Sequence, residues 1–181
     1  LGENAVVKMG SRIYGATSVG NNSVVGGELK NCIFMDNSNK GHEGYLGDSI
    51  VGEWCNLGAS TTGSNIKNNY SKVKLWSYES ETYEYSKTLK FGQVFGDYTR
   101  TAVNTKLNTG TLIGVGANVF EAGFPEKFIP SFRWGDNKET RMADFLKTVK
   151  EMRALKGFDF SPQEQAVLKA VFRVTQKYRD L

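Results

Sequence analysis

The chain reads as a mainly β protein built as a parallel β-helix, and three observations predict it. Apolar residues recur every six positions in two blocks, small residues recur at a fixed offset behind them, and glycine is abundant, at 20, while proline is scarce, at 3. The first block is Leu1, Val7, Ile13, Val19 and Val25, followed four residues later by Ala5, Ser11, Thr17, Ser23 and Leu29. The second is Phe95, Thr101, Leu107, Ile113 and Val119, with Thr99, Thr105, Thr111 and Ala117 at the same offset. A hexapeptide period is the mark of a parallel β-helix, in which each rung is a short strand and a corner. The β-branched residue points inward, the small one fits the turn, and stacked coils bury a continuous apolar column. An antiparallel sheet would alternate with period 2 and would not hold register over five consecutive sixes.

The frame breaks twice. Met35 to Gly44, MDNSNKGHEG, is polar and glycine-containing and reads as a loop leaving the wall; it carries His42, the only histidine. Gly63 to Leu89 is a longer insertion in which Val73, Leu75, Tyr83 and Tyr85 alternate with polar residues, the pattern of a hairpin projecting from the column. After Val119 the repeat stops, and EAGFPEKFIPSFRWGDN reads as a connection over the column's end. Two helices follow. The first spans roughly Thr140 to Lys156, with Met142, Phe145, Leu146, Val149 and Met152 at helical spacing and Gly157 as its stop. The second opens on Ser161-Pro162-Gln163-Glu164, a capping box with proline at the first helical position, and its apolar face is Val167, Leu168, Val171, Phe172 and Thr175. The expected organisation is therefore a column over residues 1–122 with an insertion at about 63–89, then a connection and a structural helical hairpin over 123–181. Trp54, Trp76 and Trp134 read as packing residues.

With 181 residues the chain is long enough for one domain with a sizeable core. Its formal charge of +4 is scattered, without a Lys/Arg block, which disfavours nucleic acid; a basic groove for a phosphorylated small molecule accounts for the charge equally well. Cys32 and Cys55 form neither a disulfide framework nor a metal-ligand spacing, and read as buried thiols in a reducing, cytoplasmic setting with no metal site. No apolar run reaches the roughly 20 residues of a membrane helix, so no membrane insertion is expected. The chain opens on Leu1 rather than Met, which reads as a piece of something longer.

An imidazole can move protons near neutral pH. His42 is thus the first candidate for chemistry, with Glu43 or Asp48 to orient it and a solvent-facing loop histidine as the plainer alternative. Arg12 and Lys30 are candidates for phosphate oxygens, or else ordinary surface cations. Their separation of 18 residues, three rungs of six, stacks them on one face of a three-sided helix. From the residues alone Tyr45 reads as core and Asn56 as a turn residue.

The segment Lys40-Gly41-His42-Glu43-Gly44-Tyr45-Leu46-Gly47-Asp48, with Gly52-Glu53-Trp54-Cys55-Asn56-Leu57-Gly58-Ala59, resembles the acetyltransferase domain of the bifunctional N-acetylglucosamine-1-phosphate uridyltransferase / glucosamine-1-phosphate acetyltransferase enzymes. The resemblance covers about residues 1–120 and is densest from Glu28 to Asn65. It implies a left-handed β-helix that forms a homotrimer and transfers an acyl group from acetyl-CoA or another acyl-CoA to an amino-sugar or sugar phosphate. His42 falls on the family's catalytic base, and Tyr45, Asn56 and Asn65 on substrate-binding positions. Lys30 and Arg12 fall on its phosphate-contacting cations, and Ala59 on the residue whose amide orients the acyl group. The partners so implied are a sugar phosphate or nucleotide sugar, with Mg2+ only in an N-terminal nucleotidyltransferase domain outside this chain. The pattern departs after Asn65, where Ile66 replaces a tyrosine and an Asp-Gly pair is absent, with Asn69-Tyr70 as the substitute. Val103 and Glu121 fall where the family has small residues near coenzyme A. The alternatives are a non-catalytic trimerisation and ligand-sensing domain serving a sugar-1-phosphate nucleotidyltransferase, and, more weakly, a binding module for anionic glycans.

Overall fold

The computed structural model describes residues 1–136 and 138–179. Its fold class is the one the repeat and the resemblance imply: mainly β, a left-handed parallel β-helix with an inserted hairpin and a C-terminal helical pair. Three walls of short parallel strands surround the core. The first wall stacks Val6–Val7, Val24–Val25, Asn39–Lys40, Asn56–Leu57, Arg100–Thr101, Asn118–Val119 and Arg133–Trp134. The second stacks Arg12–Tyr14, Glu28–Lys30 and Tyr45–Gly47, and continues in the pair Thr62–Gly63 and Lys106–Leu107. The third stacks Ser18–Val19, Ile33–Phe34, Ile50–Val51, Val94–Phe95, Leu112–Ile113 and Phe128–Ile129.

The inward residues of each strand meet along the axis, and Val25, Leu29, Leu46, Val51, Leu57 and Phe95 are almost completely buried. Burial of this kind is worth about 1.5–3 kcal/mol per large apolar side chain. Two residues before several inward positions stands a small buried side chain that bonds a backbone carbonyl one coil away: Ser23 Oγ to Met35 (2.8 Å), Ser38 Oγ to Gly52 (2.6 Å), Thr99 Oγ1 to Gly114 (3.0 Å). Cys32 and Cys55 occupy this same position, and both are buried free thiols.

The six-residue frame slips after Val25. Inward positions run Val25, Leu29, Phe34, Lys40, Leu46, Val51, so some rungs have four or five residues rather than six. Leu29, expected in a turn, is therefore core. Gly26 and Gly27 make the short rung feasible: a Cβ on Gly27, whose φ is +73°, would stand 2.7 Å from the Gly44 carbonyl oxygen. The slip also corrects the expected loop at 35–44. Residues Asn39–Lys40 are a regular strand of the first wall, because Lys40 takes the inward slot that a hydrophobe would fill. The column likewise continues past the expected boundary at residue 122. Phe128–Ile129 pairs in parallel with Leu112–Ile113, and Trp134 with Asn118.

The insertion forms the expected hairpin, Lys74–Ser77 against Thr82–Tyr85, but it lies back on the column instead of projecting. Trp76 stacks on Phe128 at 4.3 Å, and Tyr178 donates to Glu81 at 2.9 Å. Gln93, fully buried, plugs the space left by the inward Gly63 and bonds the carbonyls of Ser64 and Asn108. Helix α1 (Met142–Leu155) and helix α2 (Pro162–Val174) follow, the latter with its capping box formed. They pack through Phe145, Val149 and Leu168 onto Trp54, Tyr98 and Phe132. Val167, expected on the buried face of α2, is 61% exposed, and Trp134, though half exposed, packs edge-on against Phe120 at 5.5 Å.

Candidate functional site

Two outward rows run up the second wall. One is Arg12, Glu28, Tyr45; the other is Tyr14, Lys30, Gly47. The coil closes here in 16 residues, so Lys30 stands beside Tyr14 and not over Arg12 as an 18-residue coil would have it. Arg12 instead meets Glu28, with both Nε and Nη2 at 3.2 Å from Oε2, and Tyr14 donates to the other carboxylate oxygen at 2.7 Å. The Tyr14 hydroxyl, then Arg12, hold the Glu28 carboxyl below the usual carboxylate range despite opposing desolvation. Lys30 reaches over the Tyr14 ring, 5.6 Å from its centre, and has no carboxylate partner among the described residues.

Tyr45 is half buried, and its hydroxyl lies over Gly47 beside the Asn65 amide. A Cβ on Gly47 would come within 2.1 Å of that hydroxyl and 2.7 Å of the amide nitrogen, so glycine keeps this spot open. Burial pushes the Tyr45 phenol up to about 12, so it stays a neutral donor at physiological pH. Asn65 is buried and donates to Asp48, whose other oxygen accepts from Asn31 at 3.1 Å. Asp48 is thereby engaged at the far end of its strand, and neither it nor the exposed Glu43 bonds His42.

His42 stands exposed on the edge between the first and second walls, in the corner after Asn39–Lys40. Its backbone carbonyl is held from inside the column by Lys40 Nζ at 2.9 Å, which also bonds Gly26 O at 3.2 Å. Lys40 is 1% exposed, and burial lowers its ammonium to about 8. This strut was missed in sequence; carrying the repeat frame from Phe34 by six would have found it. One coil on, the Ser60 amide donates to the Glu43 carbonyl at 2.9 Å, which sets Ala59 next to the His42 edge. The Ala59 amide itself donates to no group among the described residues. Asn56 is apart from this group. It points out of the first wall, accepts from Asn39 at 2.8 Å, and borders a cavity of about 410 Å³ roofed by Met152 and Lys156 of the α1 segment. The structure therefore gathers Lys30, Tyr45 and Asn65 on one wall, His42 and Ala59 on its edge, with Arg12 tied to Glu28 and Asn56 around the corner. No group of three or more His, Cys, Asp or Glu side chains suited to a metal occurs among the described residues.

The chain has relatives over part of its length. "Bifunctional protein GlmU" of Methanococcus aeolicus is 35% identical over 106 residues, 56% of this chain and 24% of its own length. The protein of the same name in Methanococcus vannielii is 32% identical over 122 residues, 65% of this chain and 28% of its own length. Part of the chain is thus similar to part of the GlmU proteins. A "Bifunctional sugar-1-phosphate nucleotidylyltransferase/acetyltransferase" of Sulfurisphaera tokodaii is similar as well, 30% identical over 93 residues, 51% of this chain and 23% of its own length. The chain spans about a quarter of the length of the curated relatives it matches. No protein-family model matches it. No helix among the described residues is long and apolar enough to cross a membrane.

Proposed function

We propose that the second wall and its His42 edge form the acceptor site of an acyltransferase acting on an amino-sugar or sugar phosphate, or a nucleotide sugar. One juxtaposition carries this reading. Lys30, a cation without a carboxylate partner, shares a wall with the neutral donor Tyr45 and, at the wall's edge, the exposed His42. Part of the chain is similar to a protein named for nucleotidylyltransferase and acetyltransferase activity, which supports the reading. In this reading the phosphate lies toward Lys30, and toward Arg12 once its exposed pairing with Glu28 opens, an exchange that costs little at a surface. The sugar hydroxyls meet Tyr45 and Asn65. The amine attacks the carbonyl carbon of acetyl-CoA or another acyl-CoA, forming the C–N bond. His42 takes the amine's proton on a ring nitrogen, and the C–S bond breaks with its electron pair leaving on sulfur. The unpaired Ala59 amide is suited to the oxygen that gains charge in this step.

The acyl end of such a substrate fits these residues. At the other end, Glu121 puts a carboxylate where the resemblance implies a small residue, and Val103 is 66% exposed. A carboxylate opposes the phosphates of coenzyme A, and this favours the second reading: a non-catalytic trimerisation and ligand-sensing domain serving a sugar-1-phosphate nucleotidyltransferase, the domain to which Mg2+ would belong. Both readings include a homotrimer. The apolar outward row Ile33, Ile50, Val94, Leu112 on the third wall supports it, and sedimentation velocity tests it.

The deciding experiment incubates the domain with glucosamine 1-phosphate and acetyl-CoA and follows the acetylated product by mass spectrometry. Turnover that falls about 100-fold or more in His42→Ala supports the enzyme, and Lys30→Ala should act mainly on KM. Calorimetry then separates the failures. Sugar phosphate bound without acetyl-CoA selects the second reading, and binding of neither overturns both.

A further inference from the structure

A second cavity, of about 390 Å³, lies on the opposite side of the first wall from the His42 edge, between that wall and the first turns of α1. Tyr98, Arg100, Trp134, Thr140, Asp144 and Phe145 are among its lining residues. Its charges do not balance locally. Asp144 is paired with Arg141 at 2.8 Å and Glu139 with Arg179 at 2.6 Å, so both carboxylates are engaged. Arg100 is half buried and borders both this cavity and the one beside Met152; its guanidinium has no carboxylate partner among the described residues, and Nη2 lies 3.5 Å from the Met152 sulfur. Leaving an arginine partly desolvated and unpaired is costly unless something else satisfies it. A second, independent feature points the same way. Thr140 is 6% exposed, lines the same cavity, and its hydroxyl oxygen is buried without a hydrogen-bond partner. A buried hydroxyl of this kind ordinarily has one. The half-exposed Trp134 and the buried Phe145 line the same cavity.

We propose that this cavity binds a small ligand with an anionic group, carboxylate or phosphate, on a flat apolar body. Arg100 and the Thr140 hydroxyl hold the anion, and Trp134 and Phe145 flank the body. Arginine matches either anion through two parallel N–H bonds, and a hydroxyl adds a third donor. A volume of about 390 Å³ is within the range of small-molecule sites. The site is formed by the helical segment together with the wall and shares no residue with the acceptor site proposed above.

The test titrates the intact chain with benzoate, phenyl phosphate, inorganic phosphate and the neutral benzyl alcohol, following the Trp134 indole N–H resonance by NMR. Expected is saturable binding of benzoate or phenyl phosphate, stronger than that of benzyl alcohol, with whichever of the two binds more tightly naming the anion. Arg100→Gln, which breaks no ion pair, should weaken it about tenfold or more, and Thr140→Val by a few-fold. His42→Ala should leave it unchanged. The proposal is overturned if neither aromatic anion binds up to about 10 mM, if benzyl alcohol binds as well as they do, if Arg100→Gln leaves their affinity unaltered, or if His42→Ala abolishes it. Because the readout is binding and not acyl transfer, failure of the catalytic reading leaves this outcome intact.

Discussion

Two edges of the same column are built from the same repeat and put to opposite uses. At the edge between the first and second walls the middle corners are rich in small residues: Gly26, Gly27, Gly41, Gly44, Ala59 and Ser60. They stack so closely that a Cβ on Gly44, at φ +121°, would lie 2.1 Å from the Thr61 carbonyl oxygen. This edge stays flat, and His42 stands on it in the open. At the edge between the third and first walls, one corner residue per coil takes a left-handed backbone: Asn4, Asn22, Asn37, Trp54, Tyr98, Gly116 and Phe132. Each amide bonds the carbonyl one residue before the matching corner below, as in Trp54 to Asp36 and Tyr98 to Glu53. Asparagine suits that backbone; large aromatics do not, at about 1–2 kcal/mol each. The aromatic corners are retained because they face outward at spacing that fits a helix. Trp54 stacks parallel to Tyr98 at 6.4 Å and meets Phe158 edge-on at 5.4 Å, while Phe132 meets Phe145 edge-on at 5.1 Å. A solenoid thus chooses which edge is open and which is covered by the residue at one corner position.

The comparison can be broken most severely at Phe132. Phe132→Asn keeps the corner's backbone preference and removes the ring, so a loss of about 3–5 kcal/mol in urea unfolding is expected, with the helices released first by hydrogen exchange. Next comes the strut beneath the open edge. The folded value of Lys40 near 8 lies below its ordinary 10.5, so between those pH values the unfolded chain binds more protons than the native one. Stability should therefore rise with pH across that window, by about 3 kcal/mol at most, and the gain is absent below it. Lys40→Met should flatten this slope in urea titrations compared at about pH 7.5 and about pH 10. A smaller effect is expected from Gly44→Ala. The strained φ and the clash with Thr61 should cost roughly 1–3 kcal/mol, and any acyl transfer should fall with the displaced edge. Least of all, Asn4→Gly in the exposed first coil should stay within about 0.5 kcal/mol of the parent; a larger change would mean that asparagine corners do more than turn the chain.

The column was legible because inward apolar residues and small partners repeat at fixed spacing, and the helices because Ser161 to Glu164 and Gly157 mark ends by local chemistry. What escaped is what the regular frame conceals. A glycine pair shortened the rung at 26–29, which moved Leu29 inward and brought Glu28, not Lys30, over Arg12. A lysine in a core slot disguised residues 39–40 as loop. The corner role of Trp54, Tyr98 and Phe132 depends on a backbone angle that their side chains disfavour, so propensity points away from it. Of the candidate site, Lys30, Tyr45 and Asn65 were named from the resemblance of their motifs, and His42 also as the only histidine. The positions of Asn56 and Arg12 follow from wall assignment and coil length, which order alone does not set.

The insertion has one more consequence. Across it the strand partners Asn56 and Arg100 are 44 residues apart, where Asn39 and Asn56 below are 17 apart, yet the ladder continues without a break. Lengthening a closure by that ratio costs only about 0.8 kcal/mol in chain entropy. The neck where Ile66 bridges Lys90 is thus an inexpensive splice point: segments can be exchanged there while the coils on either side stay in step, which makes it a natural graft port for building chimaeras on this column.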